Sequence, residues 1–394
     1  VTEPRPAHPA GADAGTSPEA STLTFRDATK VYPSADRPAV DGLTLEVPAG
    51  EIAVLVGPSG CGKTTAMRMV NRMVDITSDI LIGDRSVLDH KPAELRRQIG
   101  YVIQQVGLFP HQTIGANIAT VPRLLGWPKD RVRARVDELL ELVSLDPEMR
   151  DRYPAQLSGG QRQRVGVARA IAADPLLMLM DEPFGAIDPI TRERLQNEFL
   201  RLQGEIRKTV VFVTHDIDEA LKMGDRIAVL KAGGILAQFA TPAELLMAPA
   251  DDFVRDFVGA DRALKRLALM RVREVDLWKA PLVRAGEPTA AARARIADSE
   301  VPYPLLVDDE NRPVGWLRRE ALDSDTVAEH PRSRAEPLLE VDDVLRDALS
   351  DLLESESQYG PVVDERGRVV GVLSVELISS FLTTEEGHYA RTTA

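Results

Sequence analysis

Residues 57 to 64 read Gly-Pro-Ser-Gly-Cys-Gly-Lys-Thr, and this spacing, G-x-x-x-x-G-K-[ST], commits the flanking chain to a strand before it and a helix after it. The apolar run Ile52-Ala53-Val54-Leu55-Val56 directly precedes it and suits a buried strand, and a helix can start in the stretch from Thr64 to Val74. Such a loop aims several backbone N–H groups and a positive helix end at one point, which is a seat for an anionic phosphate. The candidate phosphate-binding set is therefore Gly57, Pro58, Ser59, Gly60, Cys61, Gly62, Lys63, Thr64 and Thr65. Lys63 adds a point charge for the outer phosphates, and the Thr64 hydroxyl is suited to hold Mg²⁺.

Further motifs follow in order. Leu157-Ser158-Gly159-Gly160-Gln161 precedes a helical run and again offers backbone N–H groups and a helix N-terminus to an anion. One loop already serves the phosphates, so a second phosphate-reading motif at Ser158, Gly159, Gly160 and Gln161 predicts a dimer that sandwiches each nucleotide. Leu177-Met178-Leu179-Met180 is an apolar strand that delivers Asp181 and Glu182 to the sheet's C-terminal edge, where open α/β sheets bind ligands. Asp181 suits Mg²⁺, directly or through water, and Glu182 suits the orientation or deprotonation of an attacking water. His215 follows the strand Val210–Val213 and is placed to sense a γ-phosphate. Gln104, after Tyr101-Val102-Ile103, is the candidate bridge between metal, water and the helical region, with Gln105 beside it as the competing choice. Tyr32 offers a flat face to adenine, or is an ordinary strand tyrosine. Asp188 before Pro189 reads either as a dimer contact or as a helix N-cap.

A length of 394 residues exceeds a single core and predicts two or three domains. Hydrophobic content of 44% and charged content of 28% are those of a soluble globular protein. No stretch approaches the roughly 20 apolar residues that span a bilayer. The net charge of −13 argues against nucleic acid as the main ligand. The single cysteine, Cys61, excludes an internal disulfide framework and fits the loop as a small residue. Residues 1–21 carry no secretory signal and read as a disordered Pro/Ala/Gly/Ser tail.

Strands separated by helical segments predict an α/β parallel sheet, with a helical region inserted from Thr113 to Ala173. Within it, Val132, Val136, Leu139, Leu140 and Val143 share one helical face. The basic stretch 260–278 reads as a helical connector with a solvated face. Beyond it the chain repeats itself. Leu306-Val307-Asp308 through Val314-Gly315 matches Val362-Val363-Asp364 through Val370-Gly371 at a constant offset of 56 residues, the distance from Val307 to Val363. Tyr303 and Tyr359 keep the same offset, so two copies of a strand–turn–strand and helix unit are predicted, each unable to bury its apolar face alone.

This order of P-loop, Gln104, Leu157–Gln161, Asp181-Glu182, Asp188 and His215 resembles the ATP-binding subunit of an ABC transporter, over about Thr22 to Gly259. The resemblance implies a P-loop NTPase fold: a RecA-like core with antiparallel β and helical subdomains. It further implies ATP and Mg²⁺ as cofactors and a dimer that closes on two ATP. The repeats, 279–323 and 325–382, resemble a CBS-domain pair, followed by a tail at 383–394. Cassette and tail together look like the glycine betaine/carnitine/choline importer ATPases. That likeness implies a homodimer at the cytoplasmic face of the membrane, an integral membrane permease and an extracytoplasmic substrate-binding protein, with no nucleic acid. Its cargo would be a quaternary-amine osmoprotectant or proline. An importer of another small solute, and a soluble ABC ATPase without transport, are the competing readings. CBS copies that bind nucleotides commonly carry Ser or Thr after the glycine, with Asp three residues later. Trp316-Leu317 after Gly315 lacks the hydroxyl, and Glu376 follows Ser374 by only two residues. A structural or dimerising tail therefore stands beside a nucleotide-binding one.

Overall fold

The computed structural model describes residues 20–33, 35–76, 78–103, 107–185, 187–297, 299–317, 322–327, 333–355 and 357–382. Gln104 and both expected tails, except Ala20 and Ser21, lie outside the described residues. One compact unit runs to Leu245 and takes in 249–258; the other comprises 246–248 and the chain from Gly259 onward.

In the first unit the strands are β1 (Leu23–Lys30), β2 (Val40–Val47), β3 (Ile52–Val56), β4 (Asp79–Ile82), β5 (Arg85–Ser86), β6 (Ile99–Val102), β7 (Leu177–Asp181), β8 (Thr209–Val213), β9 (Arg226–Lys231) and β10 (Ile235–Ala240). Six of them form one sheet in the order β10-β9-β3-β8-β7-β6, parallel except for the β10 edge. Every residue of β3 and β8 is buried, as expected of parallel strands covered on both faces. The other sheet, β2-β1-β4-β5, is antiparallel. Its β2 mixes buried and exposed positions, which fits a half-solvated sheet.

Strand β3 lies between β8 and β9, which follow it late in the chain, while β6 and β7 occupy the far edge. The chain therefore leaves β3 toward one edge and later returns on both sides of it. The C-terminal end of β3 is therefore the position at which α/β sheets of this connectivity take ligands. The helix expected after the P-loop runs Lys63–Val70, shorter than the Thr64–Val74 stretch, because Arg72 adopts a left-handed φ of 53°. The helix Lys129–Leu142 buries Val132, Val136, Leu139 and Leu140, the face read from their spacing.

The second unit contains β11 (Leu282–Val283), β12 (Leu305–Val307), β13 (Pro313–Trp316), β14 (Ser333–Arg334), β15 (Leu339–Glu340), β16 (Tyr359–Val363) and β17 (Val369–Ser374). Each repeat is a short strand, a helix (Thr289–Ala297 or Leu345–Glu354) and a hairpin, with the short strand parallel to the hairpin's first strand. The hairpin turns are the same in both copies. Asp308 Oδ1 accepts the N–H groups of Glu310 and Arg312, and Asp364 Oδ1 those of Arg366 and Arg368. Val301, Leu305, Val307 and Trp316 from one copy share an apolar cluster with Val372 from the other. Each copy buries the face it could not bury alone. The edges are exchanged: β14, which leads into β15 of the second copy, pairs with β13 of the first, whereas Trp278, which leads into the first copy, pairs with Val372 of the second.

The stretch 260–278, expected as a helical connector, carries the helix Arg262–Leu267 and packs within this unit. Leu267, Val272 and Val275 share a buried cluster with Leu345, Leu352 and Val362. Arg266, expected on a solvated face, is only 4% exposed.

Candidate functional site

The P-loop leaves β3 at Gly57 and enters the helix at Lys63. Gly57, Cys61 and Lys63 are buried, whereas Pro58, Ser59 and Gly60 are exposed. Lys63 Nζ donates to the carbonyls of Gly57 (2.7 Å) and Pro58 (2.9 Å), so the loop curls around the amine. Cys61 packs beneath it, with Sγ 3.8 Å from that nitrogen. Gly62 has a φ of 113°, and a Cβ there would stand 2.1 Å from the Ala39 carbonyl oxygen. Backbone strain and overpacking act together at this position, so Gly62→Ala is expected to cost about 2–4 kcal/mol. A thermal melt checks it, and an unchanged midpoint would show that the loop relaxes freely.

Thr64 Oγ1 donates to Asp181 Oδ1 at 3.0 Å, joining the helix start to the end of β7. Arg68, one turn further along the same helix, has Nη2 4.0 Å from Asp181 Oδ2. Burial raises the Asp181 pKa above the usual carboxylate range; the Thr64 hydroxyl and Arg68 pull it back, and Glu182 adds repulsion. A hydroxyl and a carboxylate so close form a hard-oxygen donor pair, the chemistry Mg²⁺ takes, and a bound cation would keep Asp181 ionised. The residues present fit the group.

Glu182 turns the chain out of β7. Its φ of 45° is left-handed, a conformation that costs a non-glycine residue about 1–2 kcal/mol. Two hydrogen bonds fix the turn: Glu182 N–H donates to the Val213 carbonyl (3.0 Å), and Gly185 N–H donates to the Glu182 carbonyl (3.1 Å). The turn presents the carboxylate to His215, whose Nδ1 lies 3.2 Å from Glu182 Oε1. His215 stands just beyond β8, the neighbour of β7, with its ring largely exposed. Two strand ends thus place a carboxylate and an imidazole in hydrogen-bond contact beside the P-loop strand.

The other expected residues stand apart from this cluster. Ser158 Oγ accepts the Gln161 N–H (3.2 Å) and Gln161 Oε1 accepts the Ser158 N–H (2.9 Å), a reciprocal cap on the helix Gly159–Ile171. Ser158 and Gly159 are exposed. Tyr32 is 37% exposed, and Lys30 Nζ sits 5.3 Å from its ring centroid. Of the two readings of Asp188, the structure bears out the cap: its Oδ1 accepts the Thr191 N–H (3.0 Å) at the head of the helix Pro189–Ile206. Sequence reasoning missed Arg68, legible only as the residue one turn after Thr64, and Glu219, four residues beyond His215 on the helix Ile217–Met223.

The ABC transporter family profile matches residues 40–185, and the CBS domain profile matches 333–383. The osmoprotectant import ATP-binding protein OsmV of Salmonella typhimurium is 47% identical over 350 residues, covering 88% of this chain and 91% of that protein. The chain belongs to the ABC transporter ATP-binding proteins. Within that family, the glycine betaine/carnitine/choline transport ATP-binding protein OpuCA of Bacillus subtilis is 44% identical, over 89% of this chain and 94% of its own length. The fold is shared with cbiO1 of Clostridium perfringens, part of the ABC transporter complex cbiONQ. That structure is 23% identical with a TM-score of 0.55 and covers 64% of this chain and 96% of the other. As an ABC ATPase the chain uses ATP, and the matched segment includes the P-loop, the Ser158–Gln161 motif and the Asp181-Glu182 pair. Among the described residues no helix is long and apolar enough to cross a membrane.

Proposed function

We propose that this chain is the ATP-hydrolysing subunit of an importer for a quaternary-amine osmoprotectant such as glycine betaine, carnitine or choline. It works as a homodimer bound peripherally to an integral membrane permease at the cytoplasmic face, with an extracytoplasmic binding protein delivering the cargo. The cargo reading rests on relatives similar along nearly their whole length, tail included. The hydrolytic reading rests on one observation, the contact between Glu182 and His215 at the ends of adjacent strands.

In this reading the P-loop N–H groups and Lys63 hold the ATP phosphates, and Tyr32 stacks on adenine. Thr64, Asp181 and Gln104 hold Mg²⁺, which neutralises phosphate charge when bound. Glu182 orients the attacking water and accepts its proton, and His215 holds the carboxylate while reading the γ-phosphate. Ser158 and Gln161 cap their own helix, so the exposed Gly159, followed by the buried Gly160, starts the helix end that meets the nucleotide held by the partner protomer.

The test is uptake by the reconstituted chain and its co-purifying permease. Among choline, carnitine, glycine betaine and proline, at least one should accumulate in an ATP-dependent manner. Accumulation of an unrelated solute alone would replace the cargo assignment.

A further inference from the structure

Behind the Glu182–His215 pair lies a buried carboxylate that hydrolysis as described above does not use. Glu219 is 8% exposed, in the first turn of the helix Ile217–Met223. That helix does not need it as a cap, because Asp216 Oδ1 already accepts the N–H groups of Asp218 and Glu219. A buried acid costs stability unless it is well partnered. Here the partners come from two other elements. Gln196 Nε2, on the helix Pro189–Ile206, donates to Glu219 Oε1 at 3.0 Å, and this contact is buried. Thr214 and Arg192, the latter on the same helix as Gln196, also favour the charged carboxylate against the rise in pKa that burial imposes.

These partners are the segments that carry the reacting pair. Thr214 is the residue before His215, and its Oγ1 accepts the Asp216 N–H at 3.1 Å. Arg192 Nη2 donates to the Ile187 carbonyl at 3.0 Å, fixing the loop that leaves Glu182. Arg192 Nε is buried without a partner, and Glu182, Arg192, Thr214, His215 and Glu219 line one polar cavity of about 50 Å³. The space suits a few ordered waters. The His215 ring is 59% exposed, so packing does little to hold it, and its backbone anchor decides where it stands.

We infer that Glu219 is a positioning residue of the hydrolytic site: it ties the helix Ile217–Met223, which starts two residues after His215, to the helix Pro189–Ile206 and thereby keeps His215 on Glu182. The inference rests on the hydrolytic reading of that pair. Because a misplaced group loses rate rather than binding, Glu219→Ala should lower kcat about tenfold and leave the KM for ATP within about twofold. Glu219→Gln, which still accepts the Gln196 hydrogen bond, should recover most of the loss. Gln196→Met tests the same tie without touching Glu219, should Glu219→Ala not fold, and should also lower kcat alone.

A nucleotide-free readout accompanies these rates. The His215 imidazole signals in a ¹H–¹⁵N spectrum, assigned by their loss in His215→Ala, should shift or broaden in Glu219→Ala and not in Glu219→Gln. A double-mutant cycle with His215→Ala separates the two ideas. If His215→Ala leaves turnover intact, the hydrolytic reading fails. If it lowers turnover and the Glu219→Ala loss simply adds to it, or if KM rises while kcat stays, the positioning role is overturned. A loss absent once His215 is gone supports it.

Discussion

Glu182→Gln is expected to bind ATP as the parent does and to hydrolyse it about 10²–10⁴ times more slowly, the contribution of a positioned general base. The substitution is nearly isosteric, and both backbone hydrogen bonds that hold the left-handed turn are kept. A glutamine oxygen still meets His215, so the ring is not released. The groups proposed to hold the phosphates, Lys63 and the loop whose carbonyls it meets, are untouched. Only the ability to take a proton from water is lost. Phosphate release and binding of a fluorescent ATP analogue separate the two effects. Turnover close to the parent's would remove Glu182 from the chemistry, whereas loss of binding would make it part of the phosphate seat.

Gly159→Asp should have an effect of similar size through different physics. A Cβ at Gly159 meets nothing within 4 Å, and an acid in a first helical turn is favourable for the helix itself. The isolated protomer should therefore fold, melt and bind ATP as before. In the proposed dimer the new carboxylate would face the anionic nucleotide held by the partner, and hydrolysis should fall about 100-fold or more. Sedimentation with ATP should show protomers that no longer pair. Full activity in this variant would mean that no second protomer docks on the Ser158–Gln161 surface.

The sequence makes the first unit readable because its strands are continuous apolar runs that end in chemistry. Ile52–Val56 and Leu177–Met180 are buried along their whole length, and the residues just beyond them, Gly57 and Asp181-Glu182, gather at one sheet edge. The repeat is equally legible, since its turn requires an aspartate at Asp308 and again at Asp364 to accept two backbone N–H groups. What escapes the sequence depends on partners distant in the chain. Arg266 looks solvated among other basic residues, yet it is buried in the second unit. Glu219 reads as a surface acid beside Asp216 and Asp218, because nothing local announces that Gln196 covers it. The left-handed turn at Glu182 is invisible for the same reason: its hydrogen bond to the Val213 carbonyl, rather than any glycine, imposes it.

The exchanged edges of the tail carry a consequence for how it can change. Two copies whose lead-in segments cross over form interlocked halves, since β14 completes the first hairpin and Trp278 the second. Each half therefore takes one edge segment from the lead-in of the other. Any change that loosens one is transmitted to its twin, so the pair adapts, or comes apart, as a single body.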